Sequence, residues 1–312
     1  MAHGAPESLD DISPYLRNIM GRGPSEEIIK QIKERYALVG GKSPLLEITQ
    51  QQATALENLL NQEGTGPRCA GNDFQVYIGM RHWHPLIDET VKRIAASRPD
   101  RLLAISLAPQ YSKLSVGAYI ETLEKALSAS KLTIPVHRVK SWCTQPNLIE
   151  AFTEKIKDAL SGYDGHARTA VSLLFTAHSL PEEVLAAGDP YSDEVAATVA
   201  GIVERLARDA ISNPWSFAYQ SQGFRRGKWL GPSVEESLGR LGEAACSDLL
   251  VAPIGFVCDH VEILYDVDIL FRGLAASQGI TLKRIESLNT SPRFIEALAG
   301  LVHSNLQNFS EP

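Results

Sequence analysis

Cysteine is sparse in this chain of 312 residues, and its four copies, Cys69, Cys143, Cys246 and Cys258, are scattered. No CxxC pair occurs, so the spacing suits neither a structural zinc site nor an iron–sulfur cluster. Long apolar runs are also missing. No stretch approaches the ~20 apolar residues a membrane helix needs, and the N-terminus lacks the basic, apolar and small-residue pattern of a signal peptide. Nor is there a run of Lys and Arg. With 30 basic against 37 acidic side chains, the net charge is −7, the wrong sign and pattern for a surface that binds phosphate backbones. A glycine-rich phosphate loop is absent too: Gly41-Lys42-Ser43 resembles the end of a Walker A motif, but that motif requires Gly where the chain has Tyr36. These absences exclude nucleic acid as a partner, an integral membrane segment and a P-loop nucleotide site. They leave a cytoplasmic chain with free thiols and a small-molecule partner as the expectation.

What is present is 44% hydrophobic residues with 21% charged, enough to bury a sizeable core. Short runs rich in Val, Ile and Leu alternate with longer amphipathic stretches, the pattern of βα units around a parallel sheet. The class is α/β. Strands are expected at 74–79, 102–107, 136–139, 171–175, 217–220 and 249–254, with helices at 25–38, 48–60, 146–160 and 291–306. The segment 142–147 is the expected joint between two halves. The opening Met1-Ala2-His3-Gly4-Ala5-Pro6 reads as the end of a strand entering a turn, with almost no strand before it.

In open α/β sheets, ligands bind beyond the carboxyl ends of the strands. The run 171–175 ends in Thr176-Ala177-His178, and Ser179-Leu180-Pro181-Glu182 then has the form of a capping box. That pins His178 at a strand-to-helix junction. Past the run 249–254 come Asp259, His260 and Glu262, with Asp266 and Leu270 following Glu262 at intervals of four, which an α-helix stacks on one face. A solvated face is the ordinary home of carboxylates at that spacing. The intervening residues are apolar, however, and a buried carboxylate needs a partner or a task. Asp259 is expected as a helix-start cap. His82 and His84 lack a third metal ligand, and a structural or substrate-lining role is expected for them.

Several strings then carry a resemblance over essentially the whole chain: GAPESLDDISPYL at 4–16, ERYALVGGKSPLLEIT at 34–49, YIGMRHWHP at 77–85, LAPQYSKLSVGAY at 107–119, LLFTAHSLP at 173–181, GDPY at 188–191, YQSQG and WLGPSVEE within 219–236, and PIGFVCDHVEILYDVDI at 253–269. Taken in order, they resemble the ferrochelatase family. The resemblance implies a chelatase-like fold: two Rossmann-like domains with parallel sheets facing across a cleft that holds the porphyrin. The domains are expected at 1–142 and 143–312, with the last helix, 291–306, packing on the N-terminal domain. It also implies that His178 and Glu262 face each other across that cleft as the catalytic and metal-binding residues, and that Arg35, Tyr36, Ser43 and Tyr119 contact the porphyrin. Fe2+ is then a substrate. No cofactor or iron–sulfur cluster is expected, and the chain is expected to be a monomer.

Metal insertion into a porphyrin removes two pyrrole protons and needs a partly dehydrated cation. An imidazole can bind iron or accept a proton, and a carboxylate can do either. His178 as proton acceptor, Glu262 as iron ligand and Asp266 as a relay behind it form one division of roles; the reverse division of the first two is the other. Four departures from the family pattern stand out. Leu270 occupies a position where the helix ladder often continues with an acid. His3 replaces the Tyr found in relatives that act on coproporphyrin, and is itself a candidate ligand to product iron. A basic residue expected near Met20 is absent, with Arg17 or Arg22 as substitutes. The family's first strand precedes Ala2, and a start codon upstream of Met1 is the expectation. The short polar stretch 19–34 favours coproporphyrin III over protoporphyrin IX. The rival readings are a cobalt chelatase of the same fold, a non-catalytic haem or porphyrin carrier, and a generic nucleotide-binding α/β protein.

Overall fold

The computed structural model describes residues 1–21, 23–63, 73–223 and 227–306. Cys69 and Arg22 lie outside the described residues. The chain divides into two units, one comprising Met1–Asn147 with the chain from Asn289 onward, the other Leu148–Leu288. The division falls at 147/148 rather than 142/143, and the C-terminal segment groups with the first unit.

In the second unit, four strands form one all-parallel sheet in the order β4-β3-β5-β6, with β3 Ser172–His178, β4 Trp215–Gln220, β5 Asp248–Pro253 and β6 Thr281–Arg284. The inner strands explain their own sequences. A parallel strand covered on both faces needs apolar side chains at every position rather than at alternate ones, and residues 173–177 and 249–253 are all buried. The edge strand β6 escapes the apolar-run reading because Thr281-Leu282-Lys283-Arg284 buries only Leu282. On one face Leu174 and Val251 pack with Val234, Leu238, Ile263 and Val267.

The first unit has a two-stranded parallel sheet, β1 Leu102–Ile105 with β2 Val136–Val139. Its core joins Ala104 to Ile87 and Val91 of the helix Ile87–Ser97 and to Leu123 and Leu127 of the helix Ala118–Ser130. The helix Pro292–Asn305 packs against Leu45–Glu63, aided by Gln52, which donates to the Asn289 carbonyl at 2.8 Å, and by Phe294 against the Trp142 ring at 6.2 Å.

The expected strand at 74–79 is not one. That segment has no strand ladder, and helix side chains take part of its main-chain bonding instead. Asn61 bonds both the N–H and the C=O of Phe74 at 3.0 Å, and the Glu57 carboxylate accepts from the Val76 N–H at 2.6 Å. Apolar patterning alone cannot tell a laddered strand from an extended segment tied to side chains.

Leu174 is fully buried on the central strand. Leu174→Ala should cost ~2–5 kcal/mol through lost burial and the cavity left behind. Urea unfolding would measure this, with an unchanged m-value identifying a pure stability effect.

Candidate active site

Parallel pairing sets the site. β3 lies between β4 and β5, and His178, the last residue of β3, is in register with Gln220, the last of β4. After β5 the chain turns across the end of β3. The Gly255 N–H bonds the Thr176 carbonyl at 3.2 Å, and a Cβ on Gly255 would stand 2.8 Å from Ala177 Cα and 2.9 Å from its Cβ. Only glycine permits that approach. The crossing carries the chain to His260 and Glu262, which returns beside His178.

Within the second unit, Glu262 sits between two imidazoles. Its Oε1 is 3.7 Å from His178 Nε2, and its Oε2 is 3.6 Å from His260 Nε2. Both rings are oriented from behind. His178 Nδ1 lies 2.5 Å from the Ser179 carbonyl, and His260 Nδ1 lies 3.0 Å from that of Cys258. A carbonyl only accepts, so Nδ1 carries the proton in each neutral ring, which turns both Nε2 lone pairs toward the carboxylate. His178 and Glu262 therefore share the second unit, within the span 143–312 expected for the second domain. Burial by itself would push His260 down. The Glu262 carboxylate outweighs it, with smaller help from the Cys258 carbonyl and Asp259, so His260 titrates above the ordinary histidine value.

The helix that carries Glu262 is not an α-helix. Residues Glu262–Phe271 form a π-helix, whose i→i+5 bonding is rare and tends to mark functional sites. Asp266 is buried at 7% exposure and Leu270 is exposed at 39%. The Ser221 hydroxyl donates to Asp266 Oδ2, and Ser221 is held in the left-handed region at φ 59. Gln220 ties this end of β4 to the rest. It accepts from the Thr176 hydroxyl at 2.6 Å, and its Nε2 donates to the Glu262 carbonyl at 3.3 Å. Neither Gln220 nor Ser221 was singled out from the sequence as a site residue. Their signal is position, as the first polar residues at the end of an apolar run.

Asp259 pairs with Arg284 at 3.1 Å and accepts from the Ser287 hydroxyl at 2.7 Å. Arg284 also grips Asp268 through Nε at 2.9 Å and Nη2 at 3.0 Å, fastening the π-helix to the end of β6. The capping box expected at Ser179 does not form. Its hydroxyl donates to the Leu230 carbonyl at 2.9 Å, and the next helix, Glu182–Ala186, starts without a side-chain cap. Behind His178, the Tyr191 hydroxyl donates to the His178 carbonyl at 2.9 Å, and burial keeps that phenol protonated far above its usual range.

In the first unit, Tyr36, Ser43 and Tyr119 are buried, whereas His3 and Arg35 are exposed. Ser43 accepts from the Leu45 N–H at 3.3 Å. His3 Nδ1 lies 3.2 Å from the Tyr15 hydroxyl, and its ring is 4.6 Å from that of His82. Burial, with His3 and Arg81 adding to it, pushes His82 down to about 3. His84 instead faces Glu89 at 3.0 Å, so the two histidines of the HxH string go separate ways. Arg17 is exposed. Among the described residues, no three His, Cys, Asp or Glu are arranged to cage a metal, and no helix is long and apolar enough to cross a membrane.

A family model described as ferrochelatase matches residues 1–306. The chain belongs to the ferrochelatase family. A ferrochelatase of Herpetosiphon aurantiacus is 38% identical over 303 residues, covering 97% of this chain and 96% of the relative. A coproporphyrin III ferrochelatase of Geobacillus thermodenitrificans is 37% identical over 309 residues, covering 98% and 94%. Ferrochelatases are metal chelatases, enzymes of the lyase class. The fold is that of the chelatases as well. SirB from Bacillus subtilis, solved with Fe3+, superposes with a TM-score of 0.57 at 12% identity over 83% of this chain and 90% of its own. The sirohydrochlorin chelatase SirB of the spizizenii subspecies, solved with cobalt, gives 0.53 at 13% identity over 84% and 93%.

The Glu262 charge is what raises His260, so Glu262→Gln should drop the His260 pKa below the ordinary value of 6.5; NMR titration of the ring reads this directly. In the native chain, protonated His260 contributes stability that is present below about 6.5 and is lost as pH rises through its raised folded value. Unfolding curves against pH should lose that component in the variant.

Proposed function

We propose that this ferrochelatase inserts Fe2+ into a porphyrin with His178 as proton acceptor and Glu262 as iron ligand, and that coproporphyrin III is preferred over protoporphyrin IX. The observation that carries the first part is the His178–Glu262 pair, 3.7 Å apart, with the imidazole tautomer fixed by the Ser179 carbonyl. Insertion exchanges one Fe2+ for two pyrrole protons. His178 Nε2 has the free lone pair to take them in turn, and an anionic Glu262 holds the cation while offsetting its charge. Asp266, one turn deeper and fastened by Ser221, is the relay through which protons leave. The pair offers two donors rather than a closed cage, which suits a cation that must be passed on. Fe2+ is substrate here, and the reaction needs no resident cofactor.

Arg35, exposed on the helix Glu26–Leu38, is the partner for a porphyrin carboxylate, because its guanidinium fork matches that group in geometry and charge. His3, Tyr36, Ser43 and Tyr119 complete the porphyrin-binding set in the same unit. The preference for coproporphyrin III is supported by the polar stretch 19–34 and by relatives of that name at 35–37% identity. The carrier reading gives no use for a tautomer-fixed imidazole next to a carboxylate. The cobalt-chelatase reading has likeness of fold behind it and nothing more.

An anaerobic assay with Fe2+ and either porphyrin, following loss of the free-porphyrin spectrum, tests this reading. Turnover should be faster with coproporphyrin III, and His178→Ala should lower kcat by ~10²–10⁴-fold with the unfolding midpoint little changed. Near-normal turnover in that variant would sink the assignment, and faster turnover of protoporphyrin IX would reverse the preference. Arg35→Ala should raise KM for the porphyrin by about tenfold with a smaller change in kcat, as expected for loss of one charge-assisted hydrogen bond.

A further inference from the structure

Gln220, the last residue of β4, is buried at 1% exposure, where the donors and the acceptor of a carboxamide all need partners. Its main chain and its side chain reach opposite members of the His178–Glu262 pair. The Gln220 carbonyl accepts from the Ser179 N–H at 2.7 Å, and the carbonyl of that same Ser179 orients His178 Nδ1. The Gln220 carboxamide reaches the Glu262 carbonyl at 3.3 Å. One residue therefore joins the strand end that carries His178 to the first residue of the π-helix.

The direction of that join is fixed. The Glu262 carbonyl can only accept, so the carboxamide faces it with Nε2 rather than Oε1. Oε1 then faces Thr176, fully buried on β3, whose hydroxyl donates to it at 2.6 Å. A reversed amide would set Oε1 against the Glu262 carbonyl, two acceptors facing each other in a buried site. Nε2 also donates to Ser221 Oγ at 3.4 Å, which leaves the Ser221 proton for Asp266 Oδ2. Donation thus runs one way, from Thr176 to Gln220, from Gln220 to Ser221, and from Ser221 to Asp266. Ser221 sits at φ 59, a conformation that a residue other than glycine keeps only when its surroundings hold it there, and these bonds do so. We propose that Gln220 is the positioning residue of this site: held in one sense by Thr176, its carboxamide sets the separation of His178 and Glu262 and turns the Ser221 hydroxyl onto Asp266. In this role it acts on turnover and leaves porphyrin binding unchanged. The kinetic consequence rests on the roles proposed above for His178 and Glu262; the sense of the carboxamide does not.

The experiment uses the whole chain and three variants. Thr176→Val keeps the shape and removes the donor, Thr176→Ser keeps the donor, and Gln220→Met keeps the side-chain length and removes the amide. With Fe2+ and whichever porphyrin turns over faster, Gln220→Met and Thr176→Val should each lower kcat by about tenfold, as for a buried polar group left without its partner, while KM for the porphyrin stays within about twofold. Thr176→Ser should keep kcat near that of the parent chain. Glutamine 15N labelling reads the amide itself: the Nε2 protons of Gln220 should exchange with solvent roughly tenfold faster in Thr176→Val than in the parent chain or in Thr176→Ser. Thermal unfolding shows which variants are folded, and Gln220→Met carries the kinetic arm if Thr176→Val is not. Unchanged kcat in the folded variants, a KM that rises as kcat falls, or a Thr176→Ser variant no better than Thr176→Val would overturn the proposal, as would equal exchange in all the chains compared. Near-normal turnover in His178→Ala would instead overturn the reading of the site, and the exchange rates would still decide the sense of the amide.

Discussion

The site in the second unit depends on β3 being paired in parallel on both sides. That pairing puts the carboxyl ends of β3 and β4 in register and brings the turn after β5 over the same edge. A parallel sheet places all its strand ends on one side, so polar residues just past each strand converge without being neighbours in sequence. His178 follows β3 to its last residue, Gln220 and Ser221 end β4, and Glu262 arrives after the crossing at Gly255. Burial of the strands behind them makes the arrangement stiff, since none of these side chains can shift without moving a strand end that is packed on both faces.

Around Glu262 the electrostatics are arranged by hydrogen bonds one layer back. Two backbone carbonyls fix two imidazole tautomers, and both rings then present Nε2 to one carboxylate. The carbonyl behind His178 is itself held by Tyr191, and the backbone under Glu262 is held by Gln220. The π-helix is anchored at its far end by the Asp268–Arg284–Asp259 ion pairs. Such a helix gives up favourable local geometry, and here that loss is set against anchoring at several points. The first unit differs in kind. Its candidate binding residues are mostly buried aromatic and hydroxyl groups on helices and turns, with Arg35 as the exposed cation.

Much of the second unit was legible in the sequence because its strands are buried on both faces and so appear as unbroken apolar runs. β6 was not, since an edge strand covered on one side shows only Leu282 as apolar. In the first unit the segment 74–79 looked like a strand from its composition, but whether an extended segment is laddered depends on what lies beside it, and Asn61 and Glu57 do so here. The capping reading of Ser179 failed for the same reason. That residue sits next to a helix start in sequence, yet its side chain meets Leu230, which comes from elsewhere in the chain.

By itself, the sequence determined the α/β class and the family, and it offered His178 and Glu262 as candidates within one half of the chain, because periodicity and ordered motifs are local properties carried by the chain. Tertiary structure alone decided that these two side chains stand 3.7 Å apart, that His260, Gln220 and Ser221 join them, and that the helix bearing Glu262 is wound as a π-helix. Each of those facts is a distance or a hydrogen bond between residues remote in sequence, and such quantities exist only once the strands have paired.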